Sequence, residues 1–181
     1  MILLARHGET DDNAPPRRVQ GRLDPPLNAR GREQAQALAR EVADGHELKK
    51  LWVSNLRRAR ETAATVGEAV GLEPEVDGRF DEADWGRWQG MLVSDIEREE
   101  PERWAAFLAS QPDFRFPGGE SLQEHMDRTW AALDDVARGP LPALVVCHGG
   151  TIRCARARTH PDGIAGIGPY RIGNGALIPL P

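Results

Sequence analysis

Apolar residues are distributed along the chain in short runs that alternate with helix-period segments. Residues 1–5, Met-Ile-Leu-Leu-Ala, form a continuous apolar run of strand length that ends on Arg6-His7-Gly8. Residues 11–27 carry Pro15-Pro16 and Pro25-Pro26 and suit neither a helix nor an internal strand. Asn28 is a good N-cap for a helix whose apolar stripe is Ala35, Leu38, Ala39 and Val42 and which Gly45 ends. Leu51-Trp52-Val53 reads as a second strand. Ser54 and Asn55, both capping types, precede a helix over 57–70 that Gly71 stops. Residues 75–90 are rich in Gly and Trp and read as irregular, with weak helices near 94–99 and 101–109. Pro117-Gly118-Gly119 breaks the chain before a long amphipathic helix from Glu120 to Arg138. Leu144-Val145-Val146-Cys147 is a third apolar run, leading into His148-Gly149-Gly150 and another short helix. Two β-like pieces close the chain, Tyr170–Ile172 and Ala176–Leu180. Strands alternating with helices predict an α/β fold, a mostly parallel sheet with helices on both faces. No internal repeat or low-complexity segment interrupts it.

Composition narrows the function classes. At 181 residues the simplest organisation is one domain. A 40% hydrophobic and 28% charged content fits a globular protein. The formal net charge of −5 argues against a nucleic-acid binder held by a general basic surface. No apolar run approaches the roughly 20 residues that span a bilayer, so no membrane partner is expected. The N-terminus lacks the charged, apolar and small-residue succession of a signal peptide. Cys147 and Cys154 are too few for a disulfide framework, and a reducing cytoplasm is the expected setting. Oligomeric state is not readable.

The chemistry concentrates at strand ends. In open α/β sheets ligands bind beyond the carboxyl ends of the strands. The first strand ends in Arg6-His7-Gly8, the second runs into Ser54-Asn55-Leu56-Arg57-Arg58, and the third ends in His148-Gly149-Gly150. If the sheet is parallel, two histidines and at least two arginines share one edge, and helix N-termini add backbone donors there. Arginine's planar fork suits phosphate or carboxylate, and a phosphate is the expected shared ligand.

In these segments the chain resembles the histidine phosphatase superfamily, the branch that includes cofactor-dependent phosphoglycerate mutases. Arg6-His7-Gly8-Glu9-Thr10 with Asn13 is similar to that family's opening motif. Gly21, Asp24, Leu27, Gly31, Gln34 and Ala35 match the loop and helix after it. Ser54, Leu56, Arg58, Ala59, Thr62 and Ala63 match its second motif, and Glu82, Gly86, Trp88 and Gly90 its acidic motif. Gly118-Gly119-Glu120-Ser121 and His148-Gly149-Gly150 match the last two. The resemblance covers about residues 1–153 in the right order; 154–181 is less recognisable.

The resemblance implies a three-layer α/β/α fold with a mostly parallel mixed sheet, phosphoglycerate mutase-like. Residues 1–181 would form one histidine phosphatase domain with a small cap from about 91–118. It implies that His7 attacks phosphorus and forms a phosphohistidine. Arg6 and Arg58 clamp the non-bridging oxygens; Arg57 competes with Arg58, but the motif spacing favours Arg58. His148 is a second donor, protonated when the dianion is bound. Glu82 is the general acid and then the base, with Asp81 and Asp84 as rivals. Asn13 and Gln20 offer neutral hydrogen bonds, and Gly21 and Gly149 complete the substrate-binding set. Arginines supply the positive charge, so the scheme uses no metal or cofactor.

Other readings stay open on the sequence alone. The resemblance implies a longer insertion between Gly90 and Gly118 in the family's mutases, which must exclude water, so the short stretch here favours a phosphatase by analogy. Asp11-Asp12 and the Arg17, Arg18 and Arg22 group bear on substrate choice in opposite directions. Cys147 to Arg153 is also a literal Cys-x5-Arg, the spacing of cysteine-dependent phosphatases. A non-catalytic phospho-ligand-binding module would use the same residues without turnover. His46, His125 and His160 are expected at the surface.

Overall fold

The computed structural model describes residues 1–167 and 172–180. The strands are β1 (Ile2–Arg6), β2 (Lys50–Val53), β3 (Glu75–Val76), β4 (Ala143–Cys147) and β5 (Leu177–Leu180). The helices are α1 (Ala29–Gly45), α2 (Arg57–Val70), α3 (Val93–Glu99), α4 (Pro101–Leu108), α5 (Leu122–Arg138), α6 (Gly149–Ala157) and α7 (Gly163–Ile167). The sheet order is β3-β2-β4-β1-β5, with β5 antiparallel to β1 and the other pairs parallel. The mostly parallel sheet expected from the strand–helix alternation, mixed as the resemblance implies, is therefore present. The second, third and last strands lie within a residue of their expected positions. The piece expected at Tyr170–Ile172 falls largely outside the described residues.

Strand alternation builds two cores from one sheet. Along β4, Leu144 and Val146 pack with Leu38 and Val42 of α1 and Ala63 and Val66 of α2. Ala143, Val145 and Cys147 face the other way, onto Leu133 and Val136 of α5 and Ile152 of α6. All five residues of β4 are buried, as a central strand covered on both faces requires. Helix punctuation follows local chemistry. Asn28 Oδ1 accepts from Gly31 N, and Gly71 closes α2 in the left-handed region at φ 69°. Ser121 and Glu124 form a reciprocal capping box at the start of α5. Ser54 and Asn55 do not occupy the N-cap of α2. Leu56 does, and Ser54 Oγ accepts the Leu56 N–H instead.

A third cluster stands apart from the sheet. Trp88, Phe107, Phe114 and Phe116 pack with Ile96 and Leu122, and Trp85 stacks on Phe116 at 4.4 Å between ring centroids. This aromatic cluster is the base on which α3 and α4 sit. No described helix is long and apolar enough to cross a membrane.

Candidate active site

The register of β1 and β4 sets the site. Arg6 pairs with Cys147, so the next residues, His7 and His148, leave adjacent parallel strands side by side. Their ring centroids are 5.1 Å apart. On the far side of β4, Ser54 follows β2, and its N–H donates to Val146 O at 3.1 Å. Three strand ends thus deliver His7, His148 and the start of α2 to one edge.

His7 is buried, and its ring is held by both nitrogens. Nδ1 lies 2.6 Å from Gly8 O, which can only accept, so Nδ1 carries the proton. Nε2 is then the lone-pair nitrogen, and it accepts from Arg58 Nε at 3.2 Å. Burial, then the neighbouring Arg58 and Arg6 guanidinium groups, hold the His7 pKa well below the ordinary histidine value. The imidazole is neutral at physiological pH and has a nucleophile's lone pair.

Arg58 is 1% exposed. Its Nη1 donates to Leu23 O at 2.6 Å and its Nη2 to Gly21 O at 2.8 Å. Burial lowers its pKa to about 10, against the opposing pull of Glu82 and Asp24, so it stays cationic at neutral pH. Gly21 contributes this carbonyl from a left-handed turn, φ 51°, where a Cβ would meet Gln89 Oε1 at 2.4 Å. Arg57, one residue earlier, is exposed and pairs with Glu61 at 2.7 Å. Arg6 Nη1 donates to Ile172 O, and its Nε is buried without a partner.

Glu82 sits over the N-terminus of α6. Its Oε2 accepts from Gly150 N at 3.1 Å and its Oε1 from Ala83 N at 3.0 Å. Arg128 anchors the segment from behind, donating to the carbonyls of Arg79, Asp81 and Glu82 and pairing with Glu120 at 2.7 Å. The rivals of Glu82 are engaged elsewhere. Asp81 accepts from Ser54 and Asn55, and Asp84 accepts from Gly86 N.

Arg6, His7, Asn13, Gln20, Gly21, Arg58, Glu82 and Gly149 all line one cavity of about 360 Å³. His148 is fully buried behind it. Asn13 Oδ1 is taken by Thr10 and Asn174, whereas Gln20 Oε1 is buried without a partner. The opposite wall is Trp85, Val93, Trp104, Phe107 and Leu108. Among the described residues no group of three or more His, Cys, Asp or Glu is arranged to hold a metal ion.

A sequence model of the histidine phosphatase superfamily (branch 1) matches residues 2–180. The chain belongs to that superfamily. Phosphoglycerate mutase-like protein 4 of Arabidopsis thaliana is 38% identical over 166 residues, covering 89% of this chain and 71% of the relative. Phosphoserine phosphatase 1 of Hydrogenobacter thermophilus is 37% identical over 137 residues, 76% of this chain and 64% of the relative. Among solved structures, mycobacterial glucosyl-3-phosphoglycerate phosphatase with VO3 superposes with a TM-score of 0.84 at 32% identity. That likeness covers 97% of this chain and 90% of the other.

One residue of this histidine phosphatase lies where the sequence reading did not put it, and one alternative reading fails. His125 is not at the surface: it is 1% exposed, with Nε2 3.2 Å from Thr151 Oγ1. Its place in the stripe Leu122, His125, Met126, Thr129 is the signal for that burial. Cys147 points away from the cavity into the apolar core with Leu4 and Val145, and burial pushes its thiol pKa up. A phosphate-loop cysteine needs the reverse shift, so the Cys-x5-Arg reading fails. Asn174 was missed, and Arg153 entered only as the end of the Cys-x5-Arg alternative. Asn174 Nδ2 donates to His7 O and to Asn13 Oδ1, each at 3.1 Å, which brings the C-terminal segment into the site. Arg153 lines the cavity and donates to Ser110 Oγ at 2.7 Å.

Proposed function

We propose that this protein is a phosphatase that hydrolyses small phosphate monoesters through a phosphohistidine on His7. The observation that carries the reading is the His7 ring: Nδ1–H is pinned to Gly8 O and the Nε2 lone pair lies among Arg6, Arg58 and the cavity. In the first half-reaction Nε2 attacks phosphorus as the ester P–O bond breaks. Glu82 gives its proton to the departing alkoxide. Arg58 turns its Nε–H from Nε2 to a phosphoryl oxygen, and Arg6 and the α6 amides hold the others. In the second half, water attacks the phosphohistidine, its proton passes to Glu82, the N–P bond breaks and phosphate leaves. His7 Nδ1 keeps its proton throughout, and the arginines rather than a metal ion or cofactor carry the charge. Asn13, Gln20, Gly21 and Gly149 shape the phosphate pocket.

The segment from about 91–118 serves as a small cap, and its aromatic wall receives the alcohol part of the ester. Small phosphorylated metabolites are the substrate class, with neither nucleic acid nor membrane as a partner. The free buried thiols of Cys147 and Cys154 accord with a reducing cytoplasm. A panel of phosphorylated metabolites, run with wild type and His7→Ala, tests the reading. Wild type is expected to release phosphate and to trap an acid-labile phosphoenzyme; His7→Ala is expected to do neither. Release by His7→Ala at the wild-type rate refutes it. Phosphoryl transfer between hydroxyls without net release would make the site a mutase.

A further inference from the structure

The turn before Glu82 carries a second carboxylate, Asp81, that this scheme does not use. Asp81 Oδ1 accepts from Ser54 Oγ at 2.8 Å and from Asn55 N at 2.8 Å. A carboxylate only accepts, so the single Ser54 hydroxyl proton is committed to Asp81. Ser54 Oγ also accepts the Leu56 N–H, at 3.2 Å. His148 Nε2 lies 2.7 Å from the same oxygen. With the hydroxyl proton already spent, that contact is a hydrogen bond only if Nε2 carries a hydrogen and donates it. The other ring nitrogen, Nδ1, is buried without a partner. Ser54 and His148 are fully buried and Asp81 nearly so, which leaves the chain unscreened by water.

We propose that Asp81, acting through Ser54, is the positioning residue that holds His148 with Nε2 protonated and supports its imidazolium form, so that Nδ1–H donates to a phosphoryl group on His7. The proposal rests on the phosphatase reading above. The relay shifts no net proton: Asp81 stays ionised, Ser54 keeps its hydrogen, and the His148 proton stays on the ring. It answers a specific difficulty. Burial opposes a charge on His148, and so do Arg58 from α2, His7 and Arg6 from the end of β1, and His125 from α5. Asp81 is the carboxylate that hydrogen bonds link to this ring.

Asp81→Asn separates this role from a structural one. The amide oxygen still accepts from Ser54 and Asn55, so the turn is kept and only the charge is lost. The measurement is kcat against pH for 4-nitrophenyl phosphate, which reports groups in the bound state, with orthovanadate affinity by calorimetry beside it. Protonated His148 is the active form, so activity falls as pH rises through its pKa in the complex. Removing the Asp81 charge lowers that pKa and moves the alkaline limb down by about one pH unit. Vanadate binding weakens by up to about tenfold at pH values between the His148 pKa of the free protein and that of the bound one, where binding takes up a proton. Ser54→Ala gives the same shift, and Asp81→Asn adds nothing in that background. An alkaline limb that does not move in Asp81→Asn overturns the proposal, whether or not the overall rate falls. A wild type with no turnover and no vanadate binding sinks the phosphatase reading and this proposal with it.

Discussion

Gly150→Ala offers a way to remove Glu82 from the reaction without touching Glu82. Gly150 is the second residue of α6, and a Cβ on it would lie 2.2 Å from Glu82 Oε1 and 3.0 Å from Glu82 Cδ. The obstructed atoms are the end of a flexible side chain, so the carboxylate swings aside and the backbone stays. The hydrogen bond from Gly150 N to Glu82 Oε2 goes with it, a loss of about 0.5–1.5 kcal/mol. Alanine in place of glycine in a helix returns up to about 1 kcal/mol. Folding stability is therefore expected to change by less than about 1 kcal/mol, and Tm by a few degrees at most.

Proton delivery should suffer far more. A placed general acid is worth roughly 10²–10⁴-fold, or about 3–5 kcal/mol of barrier. The loss depends on the leaving group. An alkyl phosphate releases a strongly basic alkoxide that needs the proton; 4-nitrophenolate departs as a stable anion. We expect kcat/KM for an alkyl phosphate to fall about 100-fold and that for 4-nitrophenyl phosphate less than about tenfold. The ratio kcat/KM isolates the first half-reaction, since kcat on either substrate also contains the proposed phosphohistidine hydrolysis, in which Glu82 is assigned as base. Equal losses on both substrates, or an undiminished rate on the alkyl ester at unchanged Tm, would refute the assignment of Glu82 as the acid.

Two further outcomes follow from the burial of particular groups. Cys147→Ser places a hydroxyl in the apolar core beside Leu4 and Val145, which should cost about 1–3 kcal/mol of stability and lower Tm. Its kcat/KM should stay within about threefold of wild type, because the thiol lies in the apolar core and does not line the cavity; a loss of activity without a fall in Tm would reopen the cysteine mechanism. His7, His125 and His148 are all held neutral in the folded state, with pKa values well below the ordinary 6.5. The unfolded chain takes up protons at these three positions below about pH 6.5 while the folded one does not. Stability is thus full above that pH and falls as pH drops, by up to about 1.4 kcal/mol per pH unit per histidine. Calorimetric unfolding between about pH 7 and pH 5 should show this slope, and His125→Gln should reduce it by about a third. A slope unchanged in His125→Gln would contradict the burial argument.

What could be read from the sequence was what a short span encodes. The runs Met1–Ala5 and Leu144–Cys147 specify strands by themselves, and each ends on its histidine with no intervening loop. Once the sheet is parallel, the β1–β4 register brings His7 and His148 together, and Arg58 follows from the helix start after β2. The parts that stayed hidden depend on partners far apart in the chain. Asn174 reaches His7 from the last strand's approach, and Arg153 joins α6 to Ser110 beyond α4. Asp81 looked like a competitor of Glu82 because adjacent carboxylates cannot be ranked without knowing where each side chain turns. One turns to the α6 amide and the other to Ser54. His125 is a different kind of failure: the helical period that made Leu122, Met126 and Thr129 core positions already included it.

The same physics explains why the lone pair of the proposed nucleophile does not stand bare. Arg58 Nε donates to His7 Nε2 while its two Nη groups hold the carbonyls of Leu23 and Gly21. A neutral buried acceptor beside a buried cation is a satisfied pair, and separating them without replacement would leave both unpaired at a cost of several kcal/mol. A dianionic phosphoryl group is such a replacement: it takes the Arg58 hydrogen as a charge-assisted bond and offers phosphorus to the freed lone pair. Water offers neither the charge nor the electrophile. The exchange of one guanidinium hydrogen bond for another therefore couples exposure of the nucleophile to arrival of the group it attacks. In the proposed mechanism this gives Arg58 a part in selecting phosphate as well as in stabilising it.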